Sequence, residues 1–314
     1  MAEQQQQQPR PLLLQQPLTV ACVQLACGAD KAANLARARD KVLAAARDGA
    51  RLVVLPECFN SPYGTDYFPA YAEPLTPSPP AADTSPSFHA LAAMARDAGV
   101  FLVGGSIPER EDAVNDDDEP KYYNTSLTFG PDGRLLATHR KVHLFDIDIP
   151  GKIRFRESDV LSAGDHVTVV ELPGYGRIAV ALCYDIRFPE LAMVAARRAG
   201  GCFALVYPGA FNTTTGPLHW RLQGQARAMD NQVYVVLCSP ARDPAATYQA
   251  WGHSLVVDPM AAVLVEADAA ETTVTARLDG ATIEATRKAI PLRDQRRFDV
   301  YPDVSAVPPS QGGK

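Results

Sequence analysis

Three side chains of complementary chemistry close three strand-like runs. Glu57 follows Leu52-Val53-Val54-Leu55-Pro56, Lys141 follows the run from Arg134 to Arg140, and Cys183 follows Arg177-Ile178-Ala179-Val180-Ala181-Leu182. In α/β sheets ligands bind beyond the carboxyl ends of strands, so three such ends could deliver a carboxylate, an ammonium and a thiol to one place. Together these groups divide the labour of acyl transfer. A thiolate attacks a carbonyl, a carboxylate takes the thiol proton and hands it to the leaving amine, and an ammonium with a backbone N–H steadies the oxyanion. Water then cleaves the thioester with the carboxylate again as base. A helix expected after Cys183, with Pro189 in its first turn and Gly200-Gly201 at its end, would direct the positive end of its dipole at the sulfur and favour the thiolate. Taken singly, each group has a plainer reading: a packing thiol, a solvent-facing acid, a surface lysine.

The elements that must position these groups alternate. Thr19 to Leu25 reads as a strand, Asp30 as the cap of an Ala-rich helix ending at Gly49, and Leu52 to Leu55 as the next strand. Ser85-Pro86 opens a helix that stops at Gly99, and Val100 to Gly104 is a third strand. Tyr122 to Phe129 and Arg134 to Lys141 form a hairpin across Gly130-Pro131-Asp132-Gly133. The second half continues with Val167 to Leu172, the strand into Cys183, a helix to Arg198, and a strand from Phe203 to Tyr207. A helix from Pro217 to Asp230, a strand from Val233 to Cys238, and a hairpin across Asp258-Pro259-Met260-Ala261 follow. No composition break divides the chain, which implies one domain of mixed sheets faced by helices, spanning 18–301 between a Gln/Pro-rich tail at 1–17 and a flexible tail at 302–314. The segment from Arg287 onward is too polar and Pro-interrupted to bury itself, and is expected to pack on a partner subunit.

The chain has 314 residues, 46% of them hydrophobic, enough for one large core or two small ones, and its formal net charge of -6 comes without the basic stripe of a nucleic-acid binder. Six cysteines, at 22, 27, 58, 183, 202 and 238, show no metal or disulfide spacing and read as reduced thiols. No apolar stretch is long enough for a membrane span and no secretory leader opens the chain, so a cytoplasmic protein is expected, with organellar targeting by the first residues as the alternative. The acidic run from Glu109 to Glu119 lacks the spaced ligands of a calcium loop and reads as a solvated hairpin tip. His139 and His143 lie four apart, but on a strand and loop without the glutamate of a zinc helix. No metal is expected at either place.

The stretches around the three groups resemble the nitrilase superfamily of carbon–nitrogen hydrolases, and within it the omega-amidase branch. The matching segments are LPECFNSPYG (55–64), GGSIPE (104–109), YNTSLTFGPDG (123–133), HRKVHLFDIDIPGKIRFRES (139–158), ALCYDIRFPELA (181–192), YPGAFNTTTGPLHW (207–220), RAMDNQVYV (227–235), SPARD (239–243) and WGHS (251–254). The resemblance implies a four-layer α-β-β-α sandwich, a Glu-Lys-Cys triad at Glu57, Lys141 and Cys183, and a second glutamate at Glu157. It implies no metal or organic cofactor, and a homodimer or higher homo-oligomer formed through helices near the nucleophile. The substrate it implies is a small-molecule amide, the terminal amide of 2-oxoglutaramate or 2-oxosuccinamate.

Such a substrate carries a carboxylate that needs a paired donor once desolvated. Arg187 and Tyr63 are candidates, with Tyr184, Phe211 and Asn212 as wall residues. Two plainer readings stay open: Arg187 as the ion-pair partner of Glu190 or Asp185, and Glu157 as a loop carboxylate paired with Arg154 or Arg156. Rival functions are another branch of the superfamily, acting on a nitrile, a carbamoyl amine or a deaminated peptide amide, and a scaffold of this fold without turnover. A papain-like Cys–His enzyme is a poor rival, because none of the six histidines offers its local signature.

Overall fold

The computed structural model describes residues 12–113, 115 and 119–300. The first half of the chain contributes β1 (Leu18–Gln24), α1 (Lys31–Arg47), β2 (Leu52–Val54), α2 (Phe68–Tyr71), β3 (Glu73–Pro74), α3 (Pro86–Ala98), β4 (Phe101–Val103) and β5 (Ile107–Glu111). β6 (Lys121–Phe129), β7 (Leu135–Arg140), β8 (Asp146–Ile149) and β9 (Ile153–Arg156) follow. The second half adds β10 (Thr168–Leu172), β11 (Gly176–Val180), α4 (Pro189–Arg197), β12 (Ala204–Pro208), α5 (Gly216–Asn231) and β13 (Tyr234–Cys238). It closes with β14 (Leu255–Val257), β15 (Val263–Glu266), β16 (Thr272–Leu278), α6 (Gly280–Ala289) and α7 (Leu292–Gln295).

Two sheets result. One has the order β16-β1-β2-β4-β6-β5-β3 with β7 on β6; the other runs β10-β11-β12-β13-β14-β15. The central strands read as unbroken apolar runs because both of their faces are covered. Alternate residues of each strand take opposite sides: Val20, Cys22, Leu52, Val54, Ile178, Val180, Val206 and Val236 meet between the sheets. Their neighbours Ala21, Val23 and Val53 pack under α1 and α3, and Ala179, Leu205, Val235 and Leu237 join the cluster that includes Ala192 and Ala195 of α4 and Trp220 and Ala228 of α5. The layering is helix, sheet, sheet, helix, as expected for the four-layer sandwich. Caps act where the sequence places them: the Asp30 side chain accepts from Ala33 N, and Gly99 ends α3 in the left-handed region.

Several elements depart from the expectations. The α-helix after Cys183 starts only at Pro189, and a 3-10 turn, Cys183–Arg187, fills the gap. Residues 12–17, expected within a tail, lie against the sheets: Leu14 is buried and bridges Gly176, and Gln15 N donates to Tyr175 O. An apolar Leu12-Leu13-Leu14 step inside the polar run supplies the anchor. Residues 1–11, residues 301–314 and Asp116–Asp118 of the acidic run lie outside the described residues. Of the segment from Arg287 onward, residues 287–300 pack on their own chain, because Gln232 donates to Ile290 O and Arg296 donates to Asp230 O at the end of α5. β16 and α6 were not anticipated, yet Leu278 and Ile283 enter the inter-sheet core. No helix among the described residues is long and apolar enough to cross a membrane.

The turn after β2 is fixed against the turn after β4. Gly105 has φ +60, and a Cβ there would overlap the Pro56 carbonyl oxygen. Gly105→Ala is expected to cost about 2–4 kcal/mol, read as a melting temperature several degrees lower; an unchanged melt would contradict this packing.

Candidate active site

Glu57 leaves β2 on a segment bound to its neighbour by Ser106 N donating to Pro56 O, Cys58 N to Ser106 Oγ and Phe59 N to Ser106 O. This aims the carboxylate inward, where three donors meet it. Asn124 Nδ2 (2.8 Å) and Lys141 Nζ (3.0 Å) reach Oε1, and Ala210 N (2.8 Å) reaches Oε2. Register explains the first two. Thr125 of β6 pairs with Arg140 of β7, so Asn124 and Lys141 come next to each other, and Lys141 N donates to Asn124 O at 2.9 Å.

Lys141 Nζ also donates to Glu157 at 2.9 Å. Glu157 accepts in addition from Tyr63 Oη and Phe145 N, each at 2.8 Å. The loop reading of Glu157 is set aside, since Arg154 reaches toward Asp148 and Arg156 pairs with Asp159. Cys183 lies within side-chain hydrogen-bonding reach of Glu57. It opens the 3-10 turn with φ +43, a left-handed conformation that is uncommon for a non-glycine residue and recurs at functional sites. Gly209 permits this: a Cβ there would stand 3.0 Å from both Cys183 Cα and the Trp220 ring.

Asp185 holds the turn. Its carboxylate accepts from Leu182 N and His143 N, each at 2.9 Å, from His143 Nδ1 at 2.8 Å, and faces His139 Nε2 at 3.3 Å. Burial opposes ionisation there, but the bonds from His139 and His143 outweigh it and hold the carboxyl well below its ordinary value. In the sequence Asp185 offers only an ion-pair partner for Arg187, and its role under the turn carries no signature there.

Relative exposures of Glu57 (1%), Lys141 (0%), Glu157 (0%) and Cys183 (3%) make this a dry cluster of charges, in which an unpaired ion would be costly. Burial pushes Glu57 up; Lys141 lowers it and Glu157 raises it further, leaving a net rise. Burial works against the Lys141 ammonium, but Glu157 and Glu57 prevail and hold it charged. Burial and the neighbouring Glu57 push the Cys183 thiol well up. The expectation of a resting thiolate favoured by a helix dipole is therefore corrected: α4 starts six residues too late, and desolvation decides the protonation state.

Around the cluster lies an aromatic wall. Tyr63 stacks on Phe155 and meets Phe68 and Tyr248; Tyr184 packs edge-on against Phe145 and Phe188; Phe211 lies on Trp220. Asn212 Oδ1 accepts from Thr214 N and Thr215 N at the entry to α5, while its buried Nδ2 has no partner. Arg187 pairs with neither Glu190 nor Asp185. Its guanidinium sits 4.7 Å from the Phe211 ring centroid and 5.3 Å from that of Tyr184, with Nε buried and unpartnered. A cavity of about 230 Å³ opens beside Glu57, lined by Tyr63, Tyr67, Pro240, Asp243 and Tyr248 among others. Tyr248 and Asn124 were missed as site residues. Both fall in or next to quoted motifs, but their contacts with Tyr63 and Glu57 are long-range.

The doubled sandwich, with a buried cysteine next to a carboxylate and an ammonium, is the architecture of the nitrilase superfamily. The chain belongs to the carbon-nitrogen hydrolase family, whose model matches residues 19–288, and is thus a hydrolase of carbon–nitrogen bonds. It is 53% identical to a Schizosaccharomyces pombe hydrolase, over 91% of this chain and 84% of that one. It is 50% identical to the Saccharomyces cerevisiae omega-amidase NIT3, over 94% and 98% of the two chains, and 51% to Xenopus tropicalis omega-amidase NIT2, over 90% and 96%. The crystal structure of S. cerevisiae Nit3, a member of branch 10 of the nitrilase superfamily, superposes with a TM-score of 0.82 at 46% identity, covering 92% of this chain and all of that one.

Asp185→Asn should lower stability by about 2–4 kcal/mol at neutral pH, since a buried charge-assisted network loses its charge. A depressed carboxyl contributes above its unfolded value of 3.8 and loses that contribution as pH falls through the folded value. The gap between variant and parent in denaturant titrations should therefore narrow below pH 3.8; a constant gap would contradict the ionised form.

Proposed function

We propose that this hydrolase is an omega-amidase that removes the terminal amide of 2-oxoglutaramate or 2-oxosuccinamate through a thioester on Cys183. The observation that carries the reading is Arg187, a guanidinium without a carboxylate partner among the described residues, placed over the rings that flank Cys183. It offers a partner to the substrate's carboxylate. Glutamine would bring an α-ammonium to the same guanidinium and meet like charge, whereas a 2-oxo acid does not. Identity near 50% to curated omega-amidases over most of the chain supports the same choice.

The charges set the mechanism. With Glu57 ionised, Lys141 protonated and Cys183 a thiol, the charges of these three groups sum to zero. Moving the Cys183 proton to Glu57 leaves that sum unchanged, so a thiolate forms without adding buried charge. Sulfur attacks the amide carbonyl, and Lys141, with a backbone N–H near Cys183, faces the oxyanion. Protonated Glu57 gives its proton to the leaving nitrogen, and ammonia departs. Glu57 then takes a proton from water as it cleaves the thioester, releasing the 2-oxo-dicarboxylate. Glu157 anchors Lys141 alongside Glu57 and accepts from Tyr63 Oη.

The proposal extends to a homodimer. Leu218, Leu222 and Met229 are exposed on one face of α5, an apolar stripe next to α4 that a second copy would cover. A cytoplasmic location fits six free thiols.

Ammonia release from 2-oxoglutaramate should exceed that from glutamine, asparagine, a nitrile or an N-carbamoyl amino acid by about 100-fold or more in kcat/KM. Equal rates on glutamine would overturn the substrate assignment. Cys183→Ala should abolish turnover with a near-native melt, and Glu57→Gln should lower kcat at least about 1000-fold. In the parent, kcat/KM should fall on the acid side with an apparent pKa above the ordinary 4.5 of a glutamate, because the base must be ionised and burial raises it. A profile flat down to pH 4.5 would exclude Glu57 as that base.

A further inference from the structure

Arg187 is not loose. Its Nη1 donates to His219 Nδ1 at 3.0 Å, the single hydrogen bond of this guanidinium among the described residues. His219 is presented by the first turn of α5. Asn212 builds that turn by accepting from the Thr214 and Thr215 amides, Pro217 occupies an early helical position, and His219 N donates to Thr215 O at 2.9 Å. An imidazole at a helix N-terminus beside a guanidinium is held neutral twice over, by the positive end of the dipole and by the like charge. Burial, and then Arg187, lower its pKa accordingly. With Nδ1 as acceptor the ring proton resides on Nε2.

We infer that His219 is a positioning residue for substrate selection: a neutral acceptor that fixes the Arg187 guanidinium while leaving its positive charge for the substrate's carboxylate. Proteins most often hold an arginine with an acid, and an acid here would neutralise Arg187 and repel the ligand. The rings of Tyr184 and Phe211 complete the holding of the guanidinium without adding a formal charge. The inference rests on Arg187 as the partner of the carboxylate and identifies what keeps that partner oriented and charged.

The test compares KM and kcat for 2-oxoglutaramate in the parent, Arg187→Ala, His219→Gln and His219→Glu, with thermal melts confirming folded protein. Arg187→Ala should raise KM about 100-fold. His219→Gln keeps a neutral acceptor and should stay within about 3-fold of the parent KM, whereas His219→Glu should raise KM about 10- to 100-fold with a much smaller change in kcat. If Arg187→Ala leaves KM as it was, the carboxylate assignment and this inference fall together. If Arg187→Ala raises KM but the Glu and Gln variants at 219 behave alike, the role given to His219 is wrong while that of Arg187 stands.

Discussion

One ammonium holds the site together. Lys141 Nζ stands 3.0 Å from Glu57 and 2.9 Å from Glu157, with all three side chains removed from water. Two desolvated carboxylates that close would repel, and one would take up a proton. The lysine between them offsets that repulsion, and each carboxylate has further donors: Asn124 and Ala210 N for Glu57, Tyr63 and Phe145 N for Glu157. Removal of the lysine alone would leave uncompensated charge, the situation in which buried pairs are most costly to break.

The sandwich exists, from the site's point of view, to bring distant strand ends to that ammonium. β2 delivers Glu57, β7 delivers Lys141, and the strand-to-turn junction after β11 delivers Cys183, the first two from one sheet and the third from the other. Continuous apolar strands let the sheets close face to face without water, and the dry interior makes the electrostatics strong. Rigid devices finish the placement: Gly105 against Pro56, Gly209 against Cys183, and the Asp185 carboxylate under the turn.

Much of this was legible in the sequence, because strands buried on both faces announce themselves as unbroken runs of Val, Leu, Ile and Ala, and Glu57 and Cys183 follow such runs, while Lys141 ends the mixed, half-exposed strand Leu135–Arg140. The layered fold and the four clustered residues followed from the family resemblance of the motifs around them. What stayed hidden depends on long-range register or local backbone. Asn124 reaches Glu57 only through the β6–β7 pairing, and Tyr248 meets Tyr63 from a loop far along the chain. The left-handed Cys183 and its 3-10 turn leave no signature in residue types, so a helix dipole was credited where burial rules. The β8–β9 hairpin was missed despite a visible period of two, Asp-Ile-Asp-Ile then Ile-Arg-Phe-Arg around Pro150-Gly151. Leu14 escaped notice inside a polar run because a single anchoring side chain carries no periodicity.

The central claim is that Cys183, a protonated thiol at rest, becomes the acyl carrier by passing its proton to Glu57. Acid-quenching the enzyme within its first turnovers on 2-oxoglutaramate, followed by peptide mass spectrometry, reads this directly. The account requires one adduct per subunit on the peptide holding Cys183, with the mass of the substrate less ammonia, formed together with a stoichiometric burst of ammonia. Product formation with the adduct on another residue would contradict it.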